Sequence, residues 1–247
     1  MSTVARPTGF WARQRHRLRR PFVPRTVSYV KWLWRRLRFR LLSKRALRMI
    51  FIKTKFGLEP VRNYLEDRKW GGWCGGTFDT SYDGRGVWGT SSADYSMLPK
   101  LFHEQNGVAI TADDVLVDVG CGRGRVINYW LGLGLNNKIY GIELEERWAQ
   151  EAAERVRRWP NVTIIHGDAL EHIPPDGTIF YLFNPFQEPL VRAYRNRLLE
   201  VFGPGSEVTI VYHFALHSTV FAEDPRWVVE PVRTKTFHPS VIVRMAS

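Results

Sequence analysis

The feature that most constrains the fold of this chain is a short apolar run that ends in a glycine-rich turn. Residues 115–119 read VLVDV, and residues 120–124 read GCGRG. A continuous apolar run of this length predicts a buried strand, and the glycines after it predict a tight turn into a helix. In a doubly wound α/β sheet, such a turn lies at the carboxyl edge of the strands, where ligands bind.

The rest of the chain after this turn alternates short apolar runs with helical stretches. Strands are predicted at 115–119, 138–143, 162–166, 178–183, 207–212, 227–229 and 241–243, and helices at 125–133, 147–158 and 189–202. The alternation implies right-handed crossovers and parallel strands. The predicted fold class is α/β: a Rossmann-like, doubly wound, mostly parallel seven-stranded sheet with an antiparallel edge hairpin, preceded by a basic helical arm.

The charges divide the chain into a cationic arm and a mildly acidic remainder. Residues 1–58 hold 17 of the 36 Lys and Arg residues and none of the 24 Asp and Glu residues. We predict a basic arm at 1–58, disordered in part and amphipathic-helical at 27–56. Residues 59–78, which contain four glycines and two tryptophans between positions 70 and 76, are predicted to be a linker. Residues 79–247 then form the domain that carries the sheet.

Three roles stay open for the arm. It lies on an anionic membrane surface through residues 27–56, it contacts nucleic-acid phosphates, or it packs partly on the domain while its arginines remain solvated. Aromatic residues among the arginines favour the membrane over nucleic acid.

The composition also bounds the compartment of the protein. No run of 18 apolar residues exists, and the two cysteines, Cys74 and Cys121, exclude a disulfide framework and a cysteine-only metal site. No metal site is predicted. The expected location is cytoplasmic, peripheral at the membrane if the arm binds lipid, or mitochondrial if the host is a eukaryote.

Two cofactors compete for the glycine turn. A dinucleotide fold needs Gly-x-Gly-x-x-Gly, but the sixth position here is Arg125. The carboxylate of Asp118 would also repel a pyrophosphate. S-adenosylmethionine has no phosphate and carries an ammonium and a sulfonium group, so an acidic residue beside the turn favours it. We therefore predict S-adenosylmethionine as the cofactor, and no binding of NAD.

Acidic residues also end the next two predicted strands. Glu143 lies 19 residues after Gly124, where a carboxylate can accept hydrogen bonds from both ribose hydroxyls. Asp168, followed by Ala169, ends the third strand, where its carboxylate can accept a hydrogen bond from an adenine amino group. The alternative for Asp168 is a helix N-cap.

A polar and aromatic tripeptide, Asn184-Pro185-Phe186, follows the fourth predicted strand. Methyl transfer needs a nucleophile whose lone pair points at the methyl group. The side-chain oxygen of Asn184 can accept the hydrogens of an amino group, and Phe186 can stack on a planar group or contact a cation. The alternative is an ordinary Asn-Pro turn. His213, after the fifth strand, is a candidate general base, with a packed or exposed histidine as the alternative.

In order and spacing, these elements resemble class I S-adenosylmethionine-dependent methyltransferases over about residues 95–186. The resemblance implies that Gly120, Cys121 and Gly122 line the methionine part of the cofactor and that Asp118 holds its amino group through water or backbone. It also implies that Glu143 binds the ribose and that Asp168 and Ala169 bind the adenine. The segment Phe78–Phe102 looks like the lead-in of an uncharacterised bacterial subgroup that carries an Asn-Pro-Phe motif, and is also similar to the lead-in of small protein-lysine methyltransferases.

The expected function is methyl transfer from S-adenosylmethionine to an amine nitrogen of a protein side chain or a small molecule, with Asn184, Pro185 and Phe186 at the catalytic position. Methyltransferases that act on the amino groups of nucleic acids and of glutamine typically carry Asp/Asn-Pro-Pro-Tyr/Phe, and here one proline is missing. The alternative is a non-catalytic, cofactor-binding module tethered to a membrane or nucleic acid by its basic arm.

Overall fold

The computed structural model describes residues 58–78, 81, 86–106, 108–203, 205–233 and 238–246. The predicted amphipathic helix at 27–56, and the rest of the arm before residue 58, lie outside these residues. Within the described part of the chain, no helix combines the length and the apolar character that crossing a membrane requires.

The secondary-structure elements follow the predicted alternation. The helices and strands, numbered in chain order, are α1 (Glu59–Lys69), β1 (Thr77–Phe78), β2 (Thr90–Ser91), α2 (Leu98–Leu101), β3 (Leu116–Val119), α3 (Arg125–Gly132), β4 (Ile139–Glu143), α4 (Glu146–Val156), β5 (Val162–His166), β6 (Ile179–Phe183), α5 (Glu188–Val201), β7 (Thr209–His213), α6 (Thr219–Ala222), β8 (Trp227–Pro231) and β9 (Ser240–Met245). Every strand and helix predicted after residue 115 is present, with its ends shifted by at most two residues.

The sheet confirms the predicted α/β fold class. Seven strands lie in the order β5-β4-β3-β6-β7-β9-β8. The first five are parallel, whereas β9 runs antiparallel to both β7 and β8. The chain moves outward from β3 to β5 and then returns to β6 on the other side of β3. The topological switch point, where doubly wound folds bind ligands, therefore lies between β3 and β6.

Two apolar cores, one on each face, explain why the central strands are continuous apolar runs. Val117, Val119 and Leu182 belong to the core that includes α5, whereas Leu116 and Tyr181 belong to the core that includes α3. Alternate residues of a strand point to opposite faces of the sheet. A strand that is covered on both faces therefore consists mostly of apolar residues.

Helix α1 corrects the prediction of a linker at 59–78. Its buried residues are the polar Asn63 and Asp67, so the helix has no apolar periodicity that reveals it in the sequence. The carboxylate of Asp67 accepts hydrogen bonds from Arg125 Nε at 3.1 Å and from Arg125 Nη2 at 2.6 Å. Both side chains are almost completely buried, at 0% and 4% exposure. The segment after residue 58 therefore belongs to the folded domain.

Candidate active site

The glycine turn after β3 has the backbone geometry that only glycine adopts easily. Gly120, Gly122 and Gly124 have φ values of 74°, 54° and 82°, in the left-handed region. The N–H groups of Gly120 and Cys121 both donate to the carbonyl of Ile142 at 2.9 Å, which ties the turn to β4. A Cβ on Gly120 would lie 3.4 Å from Pro185 Cβ. The turn therefore contacts the loop after β6 directly, across the switch point.

Glu143 connects this turn to the loop after β4. Its Oε2 accepts the N–H of Gly122 at 2.7 Å, and its Oε1 accepts the N–H of Glu145 at 2.9 Å. Burial raises the pKa of Glu143, while these backbone hydrogen bonds oppose the rise. An ionised carboxylate has about four lone-pair sites. The carboxylate is therefore oriented by the backbone and still has acceptor positions for a ligand.

Asp118 offers a buried acceptor without a partner. Its side chain is 2% exposed, and Oδ2 has no hydrogen-bond partner among the described residues. Burial, and then the nearby charge of Glu143, raise the pKa of Asp118 well above its ordinary value. A buried polar atom of this kind calls for a donor from a ligand or an ordered water. This site fits the predicted role of holding an ammonium group through water.

A cavity of about 640 Å³ opens at this edge of the sheet, a volume typical of small-molecule sites. It brings together seven of the ten predicted site residues: Gly120, Glu143, Asp168, Ala169, Asn184, Pro185 and Phe186. Asp118, Cys121 and Gly122 are not among the lining residues. Among the described residues, no group of three or more His, Cys, Asp or Glu side chains is placed to hold a metal ion.

Cys121 packs behind the turn. Its side chain is buried, and a Cβ built on Gly141 of β4 would lie 2.9 Å from its Sγ. Burial raises the pKa of this thiol well above its usual range. The thiol therefore packs on β4, and only the backbone of Cys121 belongs to the turn.

The adenine candidates lie at the end of β5. Asp168 and Ala169 both line the cavity. Asp168 Oδ1 accepts the N–H of Leu170 at 2.8 Å, a contact within a turn, and no helix begins between β5 and β6 for Asp168 to cap. The remaining carboxylate oxygen has acceptor capacity for a ligand amino group.

Asn184 has an unusual backbone conformation for a residue with a side chain. Its φ is 42° and its side chain is 7% exposed. Asparagine tolerates this left-handed region better than most residues, and strained positions of this kind cluster at functional sites. The hydroxyl of Tyr212 donates to Asn184 Oδ1 at 3.2 Å. The amide group is therefore fixed against β7 at the carboxyl end of β6.

Pro185 and Phe186 fasten the lead-in segment to the site. The carbonyl of Pro185 accepts the N–H of Trp88 at 3.1 Å, and Phe186 forms an antiparallel bridge with Val87. The Phe186 ring lies 5.5 Å from the Tyr194 ring and is 7% exposed. Most of this ring is therefore occupied by core packing, although Phe186 also lines the cavity.

His213 does not have the properties of the predicted general base. Its ring is 2% exposed, stacks on Phe183 at 4.6 Å and has Nδ1 3.0 Å from Ser240 Oγ. Burial, helped by His238, lowers the pKa of His213 to about 4. The alternative of a packed histidine is correct, because burial favours the neutral ring.

The sequence predictions missed the residues that complete the cavity. They come from the lead-in segment, the loop after β7 and the residues before β9: Val87, Trp88, Phe214, Leu216 and His238. Phe214 also has a left-handed backbone, with a φ of 52°. Phe214 directly follows β7, a strand that the sequence predicts, so its position at the ligand-binding edge could have been predicted from the sequence. His238 lies at the cavity only because of the antiparallel hairpin of β8 and β9, which the sequence around His238 does not indicate.

The comparison with protein families supplies the deciding observation. The family described as methyltransferase domain matches residues 116–204. These residues form a methyltransferase domain. The match begins at β3 and includes the glycine turn, Glu143, Asp168 and Asn184. With an oriented Glu143 and an unsatisfied Asp118 beside a glycine turn, S-adenosylmethionine is the cofactor that fits this class I domain.

Parts of this chain are similar to solved structures that include a mitomycin 7-O-methyltransferase and an SAH-bound methyltransferase. Mitomycin 7-O-methyltransferase MmcR is 16% identical over 61% of this chain and 54% of its own length, with a TM-score of 0.46. The SAH-bound methyltransferase PaMTH1 of Podospora anserina is 12% identical over 63% of this chain and 80% of its own, with a TM-score of 0.49. TrmN from Thermus thermophilus is 16% identical over 63% and 49%, with a TM-score of 0.48.

This chain thus spans about half the length of two of these three structures. Curated protein sequences gave no significant match.

Proposed function

We propose that this chain transfers a methyl group from S-adenosylmethionine to an amine nitrogen. The observation that carries the proposal is the fixed amide of Asn184, which is held by Tyr212 where the cavity passes the end of β6. When bound, S-adenosylmethionine supplies an electrophilic methyl group on its sulfonium. The amide has to orient a nucleophile toward that group.

The order of the strands supports a division of labour in the cavity. Glu143 and Asp168 follow β4 and β5, on one side of β3, and Asn184 follows β6, on the other. The residues suited to ribose and adenine therefore lie on one side of the switch point. The methyl acceptor is left with the side that holds Asn184.

The chemistry of the amide supports nitrogen as the accepting atom. Asn184 Oδ1 accepts one hydrogen bond, from Tyr212, and a carbonyl oxygen has two lone pairs. The second lone pair can accept an N–H of the acceptor, which turns the nitrogen lone pair away from that bond. Orientation of this kind contributes to the reacting geometry more than to cofactor binding.

The test uses the full chain and tritium-labelled S-adenosylmethionine with fractionated cell extract. We expect label in a compound in which mass spectrometry places the new methyl on nitrogen. Asn184→Ala should lower turnover on the order of 10²-fold while S-adenosylhomocysteine still binds normally. Asn136→Ala, at an exposed asparagine, is the matched control. Wild-type turnover in Asn184→Ala, or a methyl placed on oxygen or carbon, would contradict the proposal.

The same experiment addresses the non-catalytic alternative. A module that only binds the cofactor has no use for an acceptor position at residues 184–186. Normal binding of S-adenosylhomocysteine without label transfer to any fraction would favour that alternative.

A further inference from the structure

The two sides of the cavity differ in charge. The cofactor half consists of the lining residues on and after β4 and β5, and it holds all three carboxylates among the described lining residues: Glu143, Glu145 and Asp168. The acceptor half consists of the lining residues from the lead-in segment, from the ends of β6 and β7, and from the turn before β9. No described residue in that half carries a carboxylate.

Aromatic and apolar side chains dominate the acceptor half instead. Its rings are Trp88, Phe183, Phe186, Phe214 and His238. The Phe214 and His238 rings lie 4.2 Å apart. A planar ring system matches such walls, because offset and edge-to-face contacts between aromatic rings are favourable.

Two large apolar side chains at the cavity remain open to solvent. Trp88 is 49% exposed and Leu216 is 50% exposed. Both line the acceptor half, where they would be covered by an apolar acceptor. Their covering would remove apolar surface from water, which stabilises the bound complex.

Two buried groups beside the acceptor half, His213 and Tyr212, are unsuited to removing a proton before transfer, and among the described lining residues His238 is the only imidazole. Burial lowers the pKa of His213 to about 4, and burial raises the pKa of Tyr212, the partner of Asn184, to about 12. An alkyl amine is protonated at neutral pH and has no lone pair to donate. Aromatic rings can hold an ammonium group by cation–π contact, but that contact leaves the nitrogen protonated. An amino group on an aromatic ring is uncharged at neutral pH, so its lone pair is already available.

Building on the proposed function, we propose that the acceptor is a small, uncharged aromatic amine, with the reacting amino group attached directly to a planar ring system. The nitrogen lone pair forms the new N–C bond as the C–S bond of the sulfonium breaks, and the sulfur keeps that electron pair as a thioether. The methylated nitrogen then releases one proton to water. No oxidant, reductant or catalytic base is needed.

The size and charge of the domain favour a small molecule over a base within a polynucleotide. The cavity of about 640 Å³ holds the cofactor as well as the acceptor. Residues 59–247 carry 19 basic and 24 acidic residues, so the positive charge that would attract a polyanion lies before residue 59 and not in the part of the chain that forms the cavity.

The test compares two fluorescent probes on the full chain saturated with S-adenosylhomocysteine. 2-Naphthylamine carries its amino group on the ring, and 2-(2-naphthyl)ethylamine carries an alkylammonium on the same ring. We expect saturable binding of 2-naphthylamine, at least about tenfold tighter than binding of the alkylammonium probe. Equal binding of both probes, or tighter binding of the alkylammonium probe, overturns the inference.

A matched pair of leucines shows whether the probe occupies the acceptor half. Leu216→Ala should weaken 2-naphthylamine binding roughly fivefold, the scale of covering half a leucine side chain. Leu65 on α1 is 53% exposed, and it does not line the cavity. Leu65→Ala should therefore leave binding unchanged. Equal effects of the two substitutions overturn the inference.

A transfer assay separates failure of this inference from failure of the proposed function. Label transferred from tritiated donor to 2-naphthylamine nitrogen supports both. Label transferred to lysine-containing peptides or to a polynucleotide, but not to 2-naphthylamine, overturns the inference and leaves amine methylation standing. Tight, Leu216-dependent binding of 2-naphthylamine, with all extract-derived methylation on oxygen, overturns the proposed function while the apolar aromatic site stands.

Discussion

The cofactor half and the acceptor half of the cavity are built by different means, although they share one edge of one sheet. On the cofactor half, Glu143 is fixed by the backbone N–H groups of Gly122 and Glu145. On the acceptor half, Asn184 is fixed by a side chain, the hydroxyl of Tyr212. One half depends on backbone groups at neighbouring strand ends, and the other depends on a side chain that reaches over from β7.

This difference separates two kinds of specificity. A site made of strand ends and backbone N–H groups changes little when surrounding side chains change. The walls of the acceptor half are side chains such as Trp88, Phe214 and Leu216, carried by loops. Substitution of those side chains changes what fits without disturbing the glycine turn. The side chains of these loops therefore determine which acceptor binds.

The largest effect should come from the buried ion pair that supports the cofactor half. Asp67→Ala leaves the Arg125 guanidinium buried without its counter-charge, directly after the glycine turn. We expect the free energy of unfolding to fall by about 3–5 kcal/mol. Urea denaturation followed by circular dichroism measures the change.

The control is an ion pair of similar length on the surface. Lys138 and Asp176 are 2.7 Å apart, and both side chains are about half exposed. Asp176→Ala should leave the unfolding midpoint almost unchanged, because solvent screens exposed pairs. Similar losses in the two variants would show that burial does not decide the strength of these pairs.

The next largest effect should fall on cofactor affinity alone. Glu143→Ala removes an oriented carboxylate and should weaken S-adenosylhomocysteine binding by about 1.5–3 kcal/mol, the range for a hydrogen bond to a charged group. Isothermal titration calorimetry gives the affinity. Glu143→Gln, which retains the shape and one acceptor oxygen, should lose less. An unchanged affinity in a folded Glu143→Ala variant would exclude this residue as the ribose ligand.

A smaller effect should fall on turnover alone. Tyr212→Phe removes the hydroxyl that donates to Asn184 and keeps the packed ring. We expect kcat to fall by the equivalent of about 0.5–1.5 kcal/mol, the net value of one neutral hydrogen bond. Steady-state kinetics with an identified acceptor measure the change in kcat. Calorimetry with S-adenosylhomocysteine measures whether cofactor affinity changes as well. A loss of cofactor affinity in this variant would mean that the two halves are not independent.

The smallest effect concerns acid. The pKa of His213 is lowered from 6.5 to about 4 by burial, so the unfolded chain binds a proton that the folded chain excludes. The stability contributed by the neutral ring is fully present above pH 6.5 and is lost as the pH falls toward 4. Between pH 6.5 and 5.5 this residue should lower the free energy of unfolding by about 1 kcal/mol. Urea midpoints across this range should fall less steeply in His213→Gln, and equal slopes would argue against a buried neutral ring.

The sequence was sufficient for the sheet and for the cofactor half, because both are encoded locally. Strands buried on both faces are continuous apolar runs, and a glycine turn followed by an acidic residue 19 positions later marks two neighbouring strand ends. Glu143 and Asp168 line the cavity as predicted. Their ligand roles stay predictions.

The sequence was insufficient where the role of a residue depends on a partner that is distant in the chain. From the sequence, Arg125 was noted only because it stands where a dinucleotide-binding motif has glycine. Its partner Asp67 lies 58 positions earlier, on a helix without apolar periodicity. His213 loses its basicity through burial and through His238, which lies 25 positions later in the chain. Trp88 and His238 reach the cavity through loops, and nothing local in their sequence indicates where those loops return.

The bidentate contact between Asp67 and Arg125 holds helix α1 against the residue that follows the glycine turn. Arg125 is the first residue after Gly124, so this contact joins α1 directly to the end of the glycine turn. Thermodynamic reciprocity requires that any effect of cofactor binding on the docking of α1 is matched by an equal effect of that docking on cofactor affinity.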